Sequence, residues 1–125
     1  MKYRLKTSEN ASHKIDEIYK SLKLASRATV IRIAVGMSLR DKEMPNTNVD
    51  EKGLDIARYT LTGDDDAIYK ALITQHFGRK LCEDEYFPKL FNAHIERGIN
   101  TFYSEYKLLG NKDKTIKYLL SILDI

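Results

Sequence analysis

The run from Arg27 to Leu39, RATVIRIAVGMSL, limits the possible folds of this chain more than any other stretch. Val30, Ile31, Ile33, Ala34, Val35 and Met37 cover most of a helical circumference, and a helix that is apolar nearly all round belongs in an interior. Ser26 stands where an N-cap is needed. Gly36 removes a side chain from the middle of the run, which lowers helix propensity but lets a second backbone come close. The sequence therefore predicts a central helix packed on two sides.

At 125 residues, with 42% hydrophobic and 31% charged residues, the chain is long enough for one domain, 1–125, with a real core. Cys82 is the single cysteine, so no internal disulfide is possible. No apolar run has the length of a membrane span or the pattern of a signal peptide, so a cytoplasmic protein with no membrane partner is expected. The net charge of +3 is unevenly spread. Residues 1–40 hold nine Lys and Arg against three acids, and residues 41–66 hold three against eight. A basic amino-terminal third suits a polyanion such as nucleic acid; a solvated, silent charge excess is the alternative.

Lys2 to Thr7 alternates strictly, with Lys2, Arg4 and Lys6 on one face and Tyr3, Leu5 and Thr7 on the other, which predicts a short strand. Ser8 caps a helix whose apolar positions are Ala11, Ile15, Ile18, Tyr19 and Leu22. A turn through Leu24 and Ala25 leads to the central helix. Strand, helix, turn, helix within residues 1–40 is the order of a ribbon-helix-helix unit. Such a unit pairs two strands into a ribbon that enters the major groove. In that arrangement Arg4 is the best base reader, and Lys2 and Lys6 meet phosphates. The amides at Ser26, Arg27 and Ala28 form an anion site at the start of the central helix. Protection of an edge strand by its charges is the competing explanation of the three basic residues.

Residues 41–53 shift to acids, Asn and Pro45 and predict a surface loop. IARYTL, Ile56 to Leu61, predicts a second extended segment, followed by a turn at Thr62 and Gly63. Asp64, Asp65 and Asp66 open a helix with Ile68, Tyr69, Leu72, Ile73, His76 and Phe77 as its stripe and a stop at Gly78. Phe87 to Lys107 predicts one long helix with a wide aromatic stripe, suited to a core or a subunit interface. Asn111 caps a last helix carrying Ile116, Leu119, Leu120 and Leu123. The expected fold is mainly α: a ribbon-helix-helix-like unit, a short extended segment and two or three further helices.

Catalytic signals are thin. His13, His76 and His94 fall in separate elements without metal-ligand spacing, and Cys82 has no cysteine nearby. His94 on an apolar face reads as a satisfied core histidine. Consecutive aspartates at 64–66 point in different directions on a helix, so capping accounts for them better than a divalent cation. No P-loop or dinucleotide fingerprint is present. No catalytic residue, metal or cofactor is therefore expected. Tyr59 beside Arg58 leaves open a covalent nickase.

Three spaced motifs carry a resemblance: IRIAVGMSL (Ile31 to Leu39), RYTLTG (Arg58 to Gly63) before the acidic helix start, and AHIERGI (Ala93 to Ile99). Together they resemble the DndE family, the small subunit of the bacterial DNA phosphorothioation system, over roughly residues 3–107. That family often carries a cysteine in the central helix where this chain has Val35 and Gly36, so no thiol chemistry is attached to the helix. The helix in residues 111–125 extends beyond the usual family end. The resemblance implies a mostly helical, tetrameric subunit without a catalytic centre. It implies binding of duplex DNA with preference for nicks, and partnership with sulfur-transfer and ATPase components. Charge and placement then nominate Lys2, Arg4, Lys6, Lys14, Lys20, Lys23, Ser26 and Arg27 as the DNA contacts. A ribbon-helix-helix repressor or antitoxin is the main rival reading.

Overall fold

The computed structural model describes residues 2–123. In chain order it contains β1 (Arg4–Lys6), α1 (Glu9–Leu22), α2 (Arg27–Arg40), β2 (Asp55–Ala57), α3 (Arg58–Thr62), α4 (Asp66–Phe77), α5 (Phe91–Leu109) and α6 (Lys112–Leu123). The fold is mainly helical with one small sheet.

The first helix begins as its sequence dictates. Ser8 accepts a hydrogen bond from the Ala11 amide at 2.9 Å, and Ala11, Ile15, Ile18 and Leu22 form the buried stripe. It ends at Lys23, whose φ of 54° is left-handed. Ser26 caps α2 through the Thr29 amide at 3.2 Å.

The second helix is central, touching α1, α3, α4 and α5, and it shares its largest interface with α5. Its buried positions are Ala28, Val30, Ile31, Ala34, Val35 and Ser38. Two expectations need correcting here. Gly36 is exposed, and a Cβ built there meets nothing within 4 Å. The close approach is made instead by Gly98 of α5, where a Cβ would lie 1.7 Å from the Ala34 carbonyl oxygen. The other side of α2 is not interior: Ile33, Gly36 and Met37 line an open groove with Tyr69, Leu119 and Ile122.

The first strand pairs antiparallel with β2 of its own chain, Leu5 opposite Ile56, so its backbone does not wait for a second copy to supply a ribbon. Leu5 and Thr7 point inward, whereas Tyr3 is 68% exposed. The extended segment is shorter than expected: only Asp55–Ala57 is strand, and Arg58–Thr62 closes a helical turn in which Thr62 Oγ1 donates to the Arg58 carbonyl at 3.1 Å. The loop between α2 and β2 docks on α1, with Asp50 accepting from the Glu9 amide at 3.1 Å. Gly53 is required there, because a Cβ would lie 2.2 Å from the Ser8 carbonyl oxygen.

The aspartate helix starts two residues later than expected, at Asp66 after a tight turn over Gly63–Asp65, and stops at Gly78 with φ 91°. Ile68 and Leu72 of its expected stripe are exposed, and only Ile73 is fully buried. The long aromatic helix is interrupted at its start. Phe87 precedes Pro88 and takes extended angles (φ −135°, ψ 126°), since a residue before proline is pushed out of the helical region. Continuous helix begins at Phe91, and its aromatics pack inward: Phe102 is buried, and the Tyr103 hydroxyl donates to Glu17 on α1 at 3.1 Å. Asn111 caps α6 through the Lys114 amide at 2.8 Å. Leu119 of α6 packs on the core and Leu120 is 59% exposed; the Leu123 side chain lies outside the described residues.

Candidate nucleic-acid interface

The nominated basic residues other than Lys14 fall into two groups at opposite ends of α1, separated by the length of that helix, roughly 20 Å at 1.5 Å per residue.

One group is the corner between α1 and α2. Arg27 Nε donates to Asp16 Oδ1 at 3.1 Å, its Nη2 reaches the same oxygen, and Lys20 Nζ lies 3.0 Å from Asp16 Oδ2. The Arg27 hydrogen bond, with Lys20 second, holds the Asp16 carboxyl below its ordinary value, so it stays ionised. The Arg27 guanidinium also stacks 4.6 Å from the Tyr19 ring centre. Lys23 is exposed at the left-handed end of α1. Lys20 and Arg27 thus share one carboxylate beside the positive end of α2, and Lys23 stands exposed in the turn before it. The Ser26 hydroxyl itself is occupied by Thr29, which leaves it a cap rather than a free donor.

The other group is the strand face. Lys2, Arg4 and Lys6 line one cleft with Glu51, Asp55 and Pro88. Arg4, the expected base reader, donates through Nε to Asp55 Oδ1 at 2.9 Å. Both side chains are about half exposed, so this pair is weak and competes with solvent or a phosphate on near-equal terms. Lys89, which sequence reasoning passed over, lines the adjoining cavity with Lys2. Lys14 belongs to neither group: its Nζ donates to Asn100 Oδ1 on α5 at 2.8 Å and lies 5.1 Å from the Tyr103 ring centre.

Arg58 is not available to a substrate. It is 8% exposed and bound to Asp66 through Nε (3.0 Å) and Nη2 (2.7 Å), with Glu83 at 2.5 Å from Nη1. The Asp66 hydrogen bond raises its pKa first, which fixes it as a structural cation. Tyr59 is 71% exposed, and its hydroxyl lies 3.5 Å from Asp64. Asp64 and Asp66 thus turn to different partners, and among the described residues no group of three or more His, Cys, Asp or Glu is set to hold a metal.

His94 is 1% exposed with Nδ1 2.8 Å from Ser38 Oγ. Arg97 donates to the same hydroxyl at 2.9 Å, leaving the serine proton for the imidazole. Burial, then the neighbouring His76 and Arg97 charges, pushes the His94 pKa down to about 3. Arg97 also donates to the Ser38 carbonyl at 2.7 Å and the Asp41 carbonyl at 3.2 Å, and His76 Nε2 donates to the latter at 2.6 Å. These groups close the carboxyl end of α2. No described helix is long and apolar enough to cross a membrane.

Comparison with known proteins places this geometry. The profile of the family described as DNA sulphur modification protein DndE matches residues 4–117. The fold is similar to the crystal structure of DndE from Escherichia coli B7A, described as involved in DNA phosphorothioation modification. That match has a TM-score of 0.64 at 16% identity, over 80% of this chain and 96% of that one. It is equally similar to the crystal structure of a DndE G21/24K mutant involved in DNA phosphorothioation, with a TM-score of 0.64 at 17% identity, over 81% of this chain and 97% of that one. No curated protein matches by sequence.

Proposed function

The chain belongs to the DndE family, and from that premise we propose that it is a non-catalytic DNA-binding subunit of a DNA phosphorothioation machinery. It grips duplex DNA mainly through phosphates and prefers nicked duplex. The observation that carries this reading is the corner before α2, where Lys20 and Arg27 share Asp16 and Lys23 stands exposed in the turn between α1 and α2. Counterion release at such a patch gives affinity without sequence. Assembly into a homo-oligomer, with a tetramer favoured, multiplies that patch. The open apolar groove on α2 and the exposed Ile68 and Leu72 support association. Sulfur-transfer and ATPase components are its proposed protein partners, and the cytoplasm its compartment.

Two alternatives lose support from the geometry. A ribbon-helix-helix repressor needs β1 free to pair between copies, whereas β2 of the same chain occupies one edge of it and Asn92 of α5 holds the Lys6 carbonyl. A Tyr59 nickase needs a cation at the scissile phosphate, and Arg58 is committed to Asp66 and Glu83. Gel-shift titration of intact, nicked and single-stranded DNA of several sequences is the test. Sequence-tolerant binding, tightest to nicked duplex, with no protein-DNA adduct before or after Tyr59→Phe, is expected. Protection of one palindrome, or an adduct lost in Tyr59→Phe, overturns the reading.

A further inference from the structure

Tyr3 and Tyr59 are the two exposed aromatic side chains among the described residues, at 68% and 71%. Tyr19, Tyr103 and Tyr106, by contrast, are held within the chain: Tyr19 lies under the Arg27 guanidinium, Tyr103 bonds Glu17 and Tyr106 bonds Ser21. The Tyr59 hydroxyl reaches only Asp64, at the 3.5 Å limit of a hydrogen bond. The two exposed rings come from different elements, the residue before β1 and the second residue of α3. Both nevertheless line one cleft of about 560 Å³, together with Arg4, Ala57, Gly63 and the paired Arg58 and Asp66. Large rings left in water at one cleft, with no packing role of their own, are a feature of binding surfaces.

Two chemistries meet here. The tyrosine faces take a flat ring by stacking. Arg4 belongs to this cleft and also to the adjoining cavity that Lys2 and Lys6 line, so a row of three cations leads away from the rings. As alternate residues of an extended segment they stand roughly 7 Å apart. Flat rings with regularly spaced negative charge between them are the chemistry of a nucleic-acid strand whose bases are unpaired. The acids nearby favour the same division. Asp66 is neutralised by Arg58, and Asp55 holds Arg4 only in an exposed pair that a phosphate can replace. Glu51 is the other acid along the row, and Asp64 keeps phosphate away from the hydroxyl end of Tyr59. We propose that Tyr3 and Tyr59 stack unpaired bases of a DNA strand whose phosphates follow Lys2, Arg4 and Lys6. The inference rests on the DNA-binding reading and deepens it: bases beside a strand break leave the duplex stack at least cost, so stacking on the tyrosines favours a nick over intact duplex.

The test is fluorescence-anisotropy titration of the full chain with a labelled oligothymidylate and with an abasic strand of the same length, which carries the same phosphates without bases. The parent should prefer the oligothymidylate by about tenfold or more. Tyr3→Ala and Tyr59→Ala should each weaken oligothymidylate binding about tenfold and leave the abasic strand unaffected. Their salt slope should match the parent's, since stacking displaces no counterions. Tyr3→Phe and Tyr59→Phe keep the ring and should bind as the parent does. Both side chains are mostly exposed, so the substitutions leave the core intact, which circular dichroism checks. Equal binding of the two strands by the parent, or alanine variants that bind as the parent, overturns the inference. So does a change of sedimentation mass in the alanine variants with strand binding retained, which makes this face a contact between copies. Nicked duplex separates the two readings. A parent that binds nicked duplex but does not prefer the oligothymidylate loses the stacking cleft alone, and a parent that binds none of the three DNAs loses the DNA-binding reading.

Discussion

Replacing Gly98 by Ala should damage the fold, although alanine is the better helix former. The added Cβ would lie 1.7 Å from the Ala34 oxygen and 2.4 Å from its carbonyl carbon, both backbone atoms of α2 that cannot rotate away. Reaching ordinary contact at 3.4 Å requires α5 and α2 to separate locally by about 1.7 Å, through the largest helix interface of the fold. A gap of roughly 0.5–1 Å already forfeits a quarter to a half of a dispersion contact. Overpacking of this kind costs about 3 kcal/mol. Better helix propensity returns about 1 kcal/mol. The net loss is about 2 kcal/mol, which lowers the thermal midpoint of a chain this size by on the order of 8 °C. Gly36→Ala is the matched control on the facing helix. A Cβ there meets nothing within 4 Å, so the same chemical change should raise the midpoint by about 3 °C. Both are read by calorimetry or urea titration at low protein concentration. A Gly98→Ala midpoint within 2 °C of the parent, on the order of 0.5 kcal/mol, refutes the close approach. So does a shift of the same sign in both variants.

Breaking the buried ion network by Arg58→Gln should cost about 3 kcal/mol in urea titrations, because Asp66 and Glu83 are left without their shared cation. The Arg58 hydrogen bond foremost holds the Asp66 carboxyl low, as Lys70 foremost does for Glu83. Folded values below the unfolded ones give stability that is complete above about pH 4 and lost as pH falls through the folded values. Asp66→Asn should therefore flatten the acid limb of the stability curve. His94 acts at higher pH: its folded pKa of about 3 lies below the unfolded value, so stability is complete above about pH 6.5. Below that it falls by about 1.4 kcal/mol per pH unit down to the folded pKa. His94→Gln should lose that slope between pH 6 and 4, and an unchanged slope would contradict the assignment. Lys23→Gly should stabilise by about 1 kcal/mol, since φ 54° strains any residue with a Cβ, while weakening DNA binding through loss of one charge.

Local rules made much of this architecture readable. Ser8 and Ser26 cap the helices they precede, Gly78 ends α4, and the stripe Ala11, Ile15, Ile18, Leu22 is buried as its spacing requires. Those features depend on neighbours within one or two turns. What escaped depends on distant residues. The partner of β1 lies some fifty residues away, beyond any periodicity, and its presence removes the need for an intermolecular ribbon. Gly36 and Gly98 are equivalent as letters; only the crossing of α2 and α5 decides which one meets a backbone. Pro88 was a visible stop signal inside the long aromatic pattern, and the hydrophobic spacing obscured it. The candidate site was legible as a charge excess but not as geometry: Asp16 and Lys20 are an i,i+4 pair that spacing allows, but the pairs Asp16–Arg27 and Asp55–Arg4 reveal themselves only through the turn after α1 and the pairing of β1.

The central claim is phosphate binding by the corner between α1 and α2, and the slope of binding against salt measures it most directly. Nicked-duplex affinity should be titrated across salt for the parent chain and for a Lys20→Gln, Lys23→Gln, Arg27→Gln variant whose folding is matched by circular dichroism. Each lost phosphate contact lowers the slope of log K against log salt by about 0.9, so the account predicts a decrease of roughly 2–3. An unchanged slope, with affinity retained, would contradict it.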